Sequence, residues 1–111
     1  MAATLERIRR EARCQLVTPE YNQSIPGVFK NAIDWLSRPA KDIARVFGGK
    51  PVALIGATPG PAGTRLAQTA WLPVFRALGM APFLGKQLYV GSAAQVFGPQ
   101  GQLADDKVRK L

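Results

Sequence analysis

The 111 residues contain no histidine and one cysteine, Cys14. Without histidine there is neither a Cys/His zinc site nor a Ser-His-Asp triad, and a single cysteine closes no internal disulfide. No metal is expected. Long apolar runs are also missing, since none approaches the roughly 20 residues that cross a bilayer. The opening MAATLERIRREAR carries charge where a signal peptide has its apolar stretch, so the cytoplasm is the expected location and no membrane partner is expected. Acidic side chains are few, seven against fifteen Lys and Arg, giving a formal net charge of +8. Such an excess can neutralise phosphates. Here it is spread along the chain and is locally dense only at Arg7, Arg9, Arg10 and Arg13 and at the tail pair Arg109 and Lys110. No RNP, zinc-finger or basic-zipper pattern accompanies it, so no nucleic-acid partner is expected. A solvated basic surface that attracts anionic nucleotides is the consequence.

Apolar residues make up 47% of the chain, which suits one small globular domain over residues 1–111. Thr4 to Ala12 reads as the end of a helix with Leu5, Ile8 and Ala12 on one face. Cys14 to Thr18 is a short strand stopped by Pro19, and Cys14 is there either a small buried side chain or a reactive thiol. A second helix starts with Pro26, carries Val28, Phe29, Ala32, Ile33 and Leu36 on one stripe opposite Lys30, Asn31, Asp34 and Ser37, and ends at Pro39. A linker through Phe47 and Gly48 leads to PVALIGA, Pro51 to Ala57, whose unbroken apolarity marks a strand covered on both faces. The Gly/Pro-rich turn Thr58 to Thr64 opens a third helix with Leu66, Ala67, Ala70, Trp71, Val74, Phe75 and Leu78 at helical period, and Gly79 closes it. Pro73 lies inside that helix and predicts a kink or break, at a typical cost of about 3 kcal/mol. Lys86 to Val90 is the last strand, followed by the loop GSAAQVFGPQGQL and a short helix from Asp105 to Leu111.

This alternation predicts an α/β fold, a parallel sheet with helices on both faces and right-handed crossovers. Ligands bind such sheets beyond the carboxyl ends of the strands, which places the site at two neighbouring turns, Pro19 to Ile25 and Thr58 to Gly63. On the first turn Pro19, Glu20, Tyr21 and Asn22 set a rigid residue, an acid, an aromatic and an amide side by side. The group can present a ring face and backbone amides to a flat heteroaromatic ligand, or be a turn that needs Pro and Asn for its backbone angles.

The wider segment TPEYNQSIPGVFKNAIDWLSRP resembles the signature of the NADPH-dependent FMN reductases, the flavodoxin-like family that includes quinone and chromate reductases and azoreductases. KPVALIGATPGPAGTRLAQ is similar to the same family, so the resemblance covers Leu16 to about Leu78. It implies FMN with its isoalloxazine ring against Pro19, Glu20, Tyr21 and Asn22, bordered by Thr58 and Gly60. The implied reaction is hydride transfer from NAD(P)H to flavin N5, then reduction of flavin, quinone or a similar small acceptor. The cofactor supplies the chemistry, so no catalytic side chain is assigned. The resemblance also implies a homodimer or homotetramer, for which Trp35, Trp71 and Phe75 are either interface anchors or core residues. Arg65 is either a contact for a nucleotide phosphate or a plain exposed arginine.

Members of the family begin with a strand and a phosphate-gripping loop, and none precedes Thr4. The expected fold is therefore an N-terminally truncated, three-stranded version of the flavodoxin-like sheet. Losing three or four charge-assisted bonds of roughly 1.5–3 kcal/mol each turns a nanomolar FMN site into a micromolar or weaker one. An inactive fragment and a flavodoxin-like electron carrier stand as alternatives to a working reductase. The open edge of the Cys14 strand further predicts self-association or low stability.

Overall fold

A computed structural model describes residues 2–111. Helix α1 covers Ala2–Arg10, and its Ile8 packs against the core. The side chains of Thr4 and Leu5 lie outside the described residues. Ala12, expected on the same face, lies beyond the helix and is exposed. Strand β1, Cys14–Val17, is followed by Thr18, whose amide still reaches Ile55 O of the neighbouring strand, and then by Pro19, which has no amide hydrogen to donate. Helix α2 is Gly27–Leu36, with Pro26 as its cap rather than its first residue. A 3-10 turn, Ala40–Asp42, leads into the short helix α3, Ile43–Val46. Strand β2 is Pro51–Ala57 and helix α4 is Arg65–Leu78, closed by Gly79 in the left-handed conformation. Strands β3 (Ala81–Pro82) and β4 (Leu88–Val90) follow, then helices α5 (Ala93–Val96) and α6 (Asp106–Arg109).

All pairings are parallel and centre on β2. β1 runs along one edge of it, Cys14 opposite Val52 and Val17 opposite Ile55. The other edge takes β3 at Pro51 and Val52, and β4 from Ile55 to Ala57. The sheet is thus three strands wide, as expected, with its third position split in two. β3 escaped the sequence pattern because it is two residues long and one of them is proline. β4 starts at Leu88 rather than Lys86, and Lys86 and Gln87 stay in the exposed loop.

The core lies between the sheet and helices α2, α3 and α4, and consists of Ile33, Val46, Phe47, Val52, Trp71, Phe75, Leu78 and Met80. Trp71 anchors it, edge-on to Phe29 at 4.9 Å and stacked on Phe75 at 5.8 Å. Trp71 and Phe75 are therefore core residues, whereas Trp35 is 58% exposed. Val46 and Phe47, expected in a linker, are fully buried because the 3-10 turn and α3 fold that linker onto the sheet.

One helical expectation is corrected, and of the kink or break expected at Pro73 the break is absent. In α2 the buried stripe is Phe29, Ile33, Leu36 and Ser37, while Val28 and Ala32 face out. Ser37, the residue that follows the helix, is buried without loss of hydrogen bonding, its hydroxyl donating to the Asp34 carbonyl at 2.6 Å. Helix α4 runs unbroken through Pro73. Pro73 and Thr69, whose carbonyl loses its partner, are both exposed, so water can replace the missing bond. Burial of Trp71 and Phe75 on the inner face, at about 1.5–3 kcal/mol for each such side chain, offsets the rest.

The C-terminal helix is shorter than expected. Asp105 caps α6, its carboxylate accepting from the Lys107 and Val108 amides at 2.7 and 3.1 Å. The expected loop before it contains α5. Among the described residues no helix is long and apolar enough to cross a membrane.

Candidate functional site

Because β1 and β2 are parallel neighbours, the connections that leave their carboxyl ends emerge side by side. Gly56 permits their close approach: a Cβ there would lie 2.2 Å from the Thr18 carbonyl oxygen and 2.3 Å from Thr64 Oγ1. Thr18 sets the base of the first loop. Its amide donates to Ile55 O at 2.9 Å, its hydroxyl donates to Pro19 O at 2.8 Å, and Trp71 Nε1 donates to that hydroxyl at 3.4 Å.

Beyond Pro19 the chain makes a two-residue turn in which Tyr21 and Ser24 exchange backbone bonds of 3.2 and 3.0 Å. Asn22 and Gln23 at its tip both have positive φ, 49° and 61°. Asparagine tolerates that conformation, but glutamine does not gain from it. Gln23→Gly is accordingly expected to stabilise the fold by about 0.5–1 kcal/mol, the left-handed penalty less the added chain entropy. A higher urea midpoint at unchanged slope is the measurement; an unchanged or lower midpoint rejects the strain.

The turn leaves polar groups free. Among the described residues the amides of Glu20, Asn22 and Gln23 have no backbone acceptor. The Tyr21 ring is 58% exposed. Glu20 is differently employed, since its Oε2 accepts from the amides of Leu66 and Ala67 at 2.9 and 3.0 Å, in the first turn of α4.

The second loop is held from its other side. Thr58 donates its amide to Val90 O at 2.9 Å and accepts from Ala93 N at 3.1 Å, while the Gly60 carbonyl accepts from Ser92 N at 2.9 Å. A Cβ at Gly60 would have nothing within 4 Å. Below the loop, Gln68 Nε2 donates both to Thr64 Oγ1 and to Leu88 O, each at 2.9 Å. Pro19, Glu20, Tyr21 and Asn22 thus share one loop, and Thr58 and Gly60 the adjoining one. Arg65 lies over the Tyr89 ring, 4.7 Å from its centroid. Sequence reasoning missed Glu20 as a helix cap, Trp71 as a donor to Thr18, and Gly56 as the point of closest approach.

Cys14 stands apart from these loops, half-buried against the core. Burial pushes its thiol above the ordinary value, Lys50 opposes the shift and Glu11 adds to it. A raised pKa leaves little thiolate near neutral pH, which fits a packing role.

The sequence pattern of the NADPH-dependent FMN reductase family matches residues 3–95. The chain belongs to this family. Similar proteins include an NAD(P)H-dependent FMN reductase of Pseudomonas aeruginosa, 42% identical over 106 residues that make up 96% of this chain and 56% of the relative. A 2-hydroxy-1,4-benzoquinone reductase of a Burkholderia species is 39% identical over 95 residues, 86% of this chain and 51% of the relative. Among solved structures, the flavoenzyme FerB of Paracoccus denitrificans, an NAD(P)H:(acceptor) oxidoreductase, superimposes with a TM-score of 0.85 at 34% identity over 98% of this chain and 59% of FerB. The fold is the flavodoxin-like α/β fold of this family. The chain spans about half the length of the curated relatives it matches.

Proposed function

We propose that residues 1–111, as one domain, form the ring-holding part of an FMN site in an NAD(P)H-dependent oxidoreductase. The observation that carries this reading is the pair of adjacent loops at the carboxyl edge of the sheet. One has three amides free to donate and an exposed tyrosine ring, the other a glycine backed by open space. These features fit a flat heteroaromatic with polar atoms along one edge, which amides satisfy without any charged side chain. Pro19, Glu20, Tyr21 and Asn22 would line one side of the ring, Thr58 and Gly60 the other.

When bound, FMN supplies the redox chemistry, taking hydride from NAD(P)H and passing electrons to flavin, a quinone or a similar small acceptor. The chain's own part is to bind and orient. Amides fixed in a turn keep their direction whatever the charge of the ring, so the site needs no acid or base of its own. The proposal includes a homo-oligomer, dimer or tetramer. Its support is the apolar row Val28, Ala32 and Trp35 turned outward on α2. It also includes a cytoplasmic location, where reduced nicotinamide nucleotides are made.

Titration with FMN, followed by quenching of flavin fluorescence, tests the binding step. Ring contacts alone predict saturable binding with a Kd on the order of micromolar. With flavin present, oxidation of NADPH or NADH by an added benzoquinone should proceed faster than with flavin alone. Absence of saturable quenching rejects the site.

A further inference from the structure

We propose that Glu20 is a positioning residue, docking the Pro19–Asn22 loop onto the start of α4 and so fixing the spacing of the two loops. The inference rests on the flavin reading above for its functional consequence, and on geometry for the docking itself. Helix α4 is 14 residues long, has no acid in its first turn and receives no side-chain cap from Thr64, the residue at its cap position. Thr64 is fully buried and its hydroxyl already accepts from Gln68 Nε2. The amides at the helix start therefore lack a local acceptor, and a carboxylate from 46 residues earlier in the chain takes two of them through a single oxygen. A negative charge there also complements the positive end of the helix dipole.

One further contact and the chain connectivity make the dock stiff. Trp71, farther along the same helix, donates to Thr18 at the base of the same loop, so loop and helix are joined at two heights. The second loop runs directly into α4, which means that Glu20 ties the first loop to the end of the second. With Leu66 and Ala67 amides taken up by Glu20 and Arg65 over the Tyr89 ring, the start of α4 is engaged in holding the loops.

Glu20→Ala and Glu20→Gln, each in the full chain, separate positioning from general stability. Amide hydrogen exchange without flavin and FMN titration are both measured. Glu20→Ala should speed exchange at Leu66 and Ala67 at least about tenfold, with β2 amides unchanged, and weaken FMN binding about tenfold or more. Glu20→Gln keeps an oxygen acceptor but loses the charge, and should fall between the parent and Glu20→Ala in both. Unchanged exchange at Leu66 and Ala67 in Glu20→Ala overturns the docking. Faster exchange with unchanged FMN affinity overturns the positioning role, as does a glutamine variant no better than alanine. A parent chain that binds no FMN rejects the flavin reading, and the exchange rates alone then decide whether Glu20 docks the loop.

Discussion

Trp71→Ala is expected to cost about 3–5 kcal/mol, the range for removing a large aromatic from a packed interior. Trp71 is fully buried between Phe29 and Phe75, and its indole nitrogen bonds Thr18. The substitution leaves a cavity at the centre of the core and takes the donor from a buried hydroxyl as well. Domains of this size have about 5–15 kcal/mol of stability in total, so the variant should be close to unfolded or melt many degrees lower. Trp35→Ala is the internal control. Its side chain is 58% exposed but belongs to the row proposed as an oligomer contact, so the comparison is made at a dilution where the chain is monomeric. There its removal should change stability by no more than about 0.5 kcal/mol. Urea unfolding followed by circular dichroism reads both. A Trp71→Ala loss below about 1 kcal/mol would contradict its placement in the core.

The two tryptophans also mark how far the sequence reaches. Both sit on amphipathic helices, Trp71 with Ala67, Val74 and Phe75 three and four positions away and Trp35 with Ala32 three away, and periodicity alone does not tell which stripe meets the sheet. In α4 the pattern is long, 14 residues with buried Ala67, Trp71, Phe75 and Leu78, so its direction is well determined. In α2 the buried side is Phe29, Ile33 and Leu36, continued by Ser37 just after the helix, so the stripe differs from the expected one by about one position. β1 and β2 were legible because each is an apolar segment ended by proline or a Gly/Pro turn. β3 was not, because two residues held by β2 carry no pattern of their own.

The proposed site was legible in part, as a pair of neighbouring loops at the carboxyl edge of the sheet. Its six residues are carried by the resemblance of the TPEYN segment and the second turn to a known family. Their arrangement depends on long-range bonds that leave no periodic trace. Glu20 illustrates this: an acid after Pro19 reads as an exposed loop residue, and nothing nearby announces that its acceptors are spent on residues 66 and 67. The same applies to Gly56, which looks like one more apolar-run residue until Thr18 and Thr64 both crowd the place a Cβ would take.

Gly60→Trp is expected to weaken FMN binding by about a hundredfold or more, roughly 2.7 kcal/mol, with little change in stability. The two halves of that expectation have separate grounds. A Cβ at Gly60 meets nothing within 4 Å, and Gly60 is not among the positive-φ glycines, so a large side chain enters open space without backbone strain. The loop is held by its carbonyl, bonded to Ser92 N, which the substitution does not touch. Stability should therefore stay within about 0.5–1 kcal/mol of the parent. The open space is the volume assigned to the flavin ring, and an indole standing in it competes directly with that ring. Steric exclusion, unlike loss of one contact, is not offset by small shifts of the ligand, so the expected effect is large. Fluorescence titration with FMN, paired with urea unfolding of the same sample, gives both numbers. Parent-like affinity in a folded Gly60→Trp chain would place the flavin away from this loop, leaving the second turn a structural connection only.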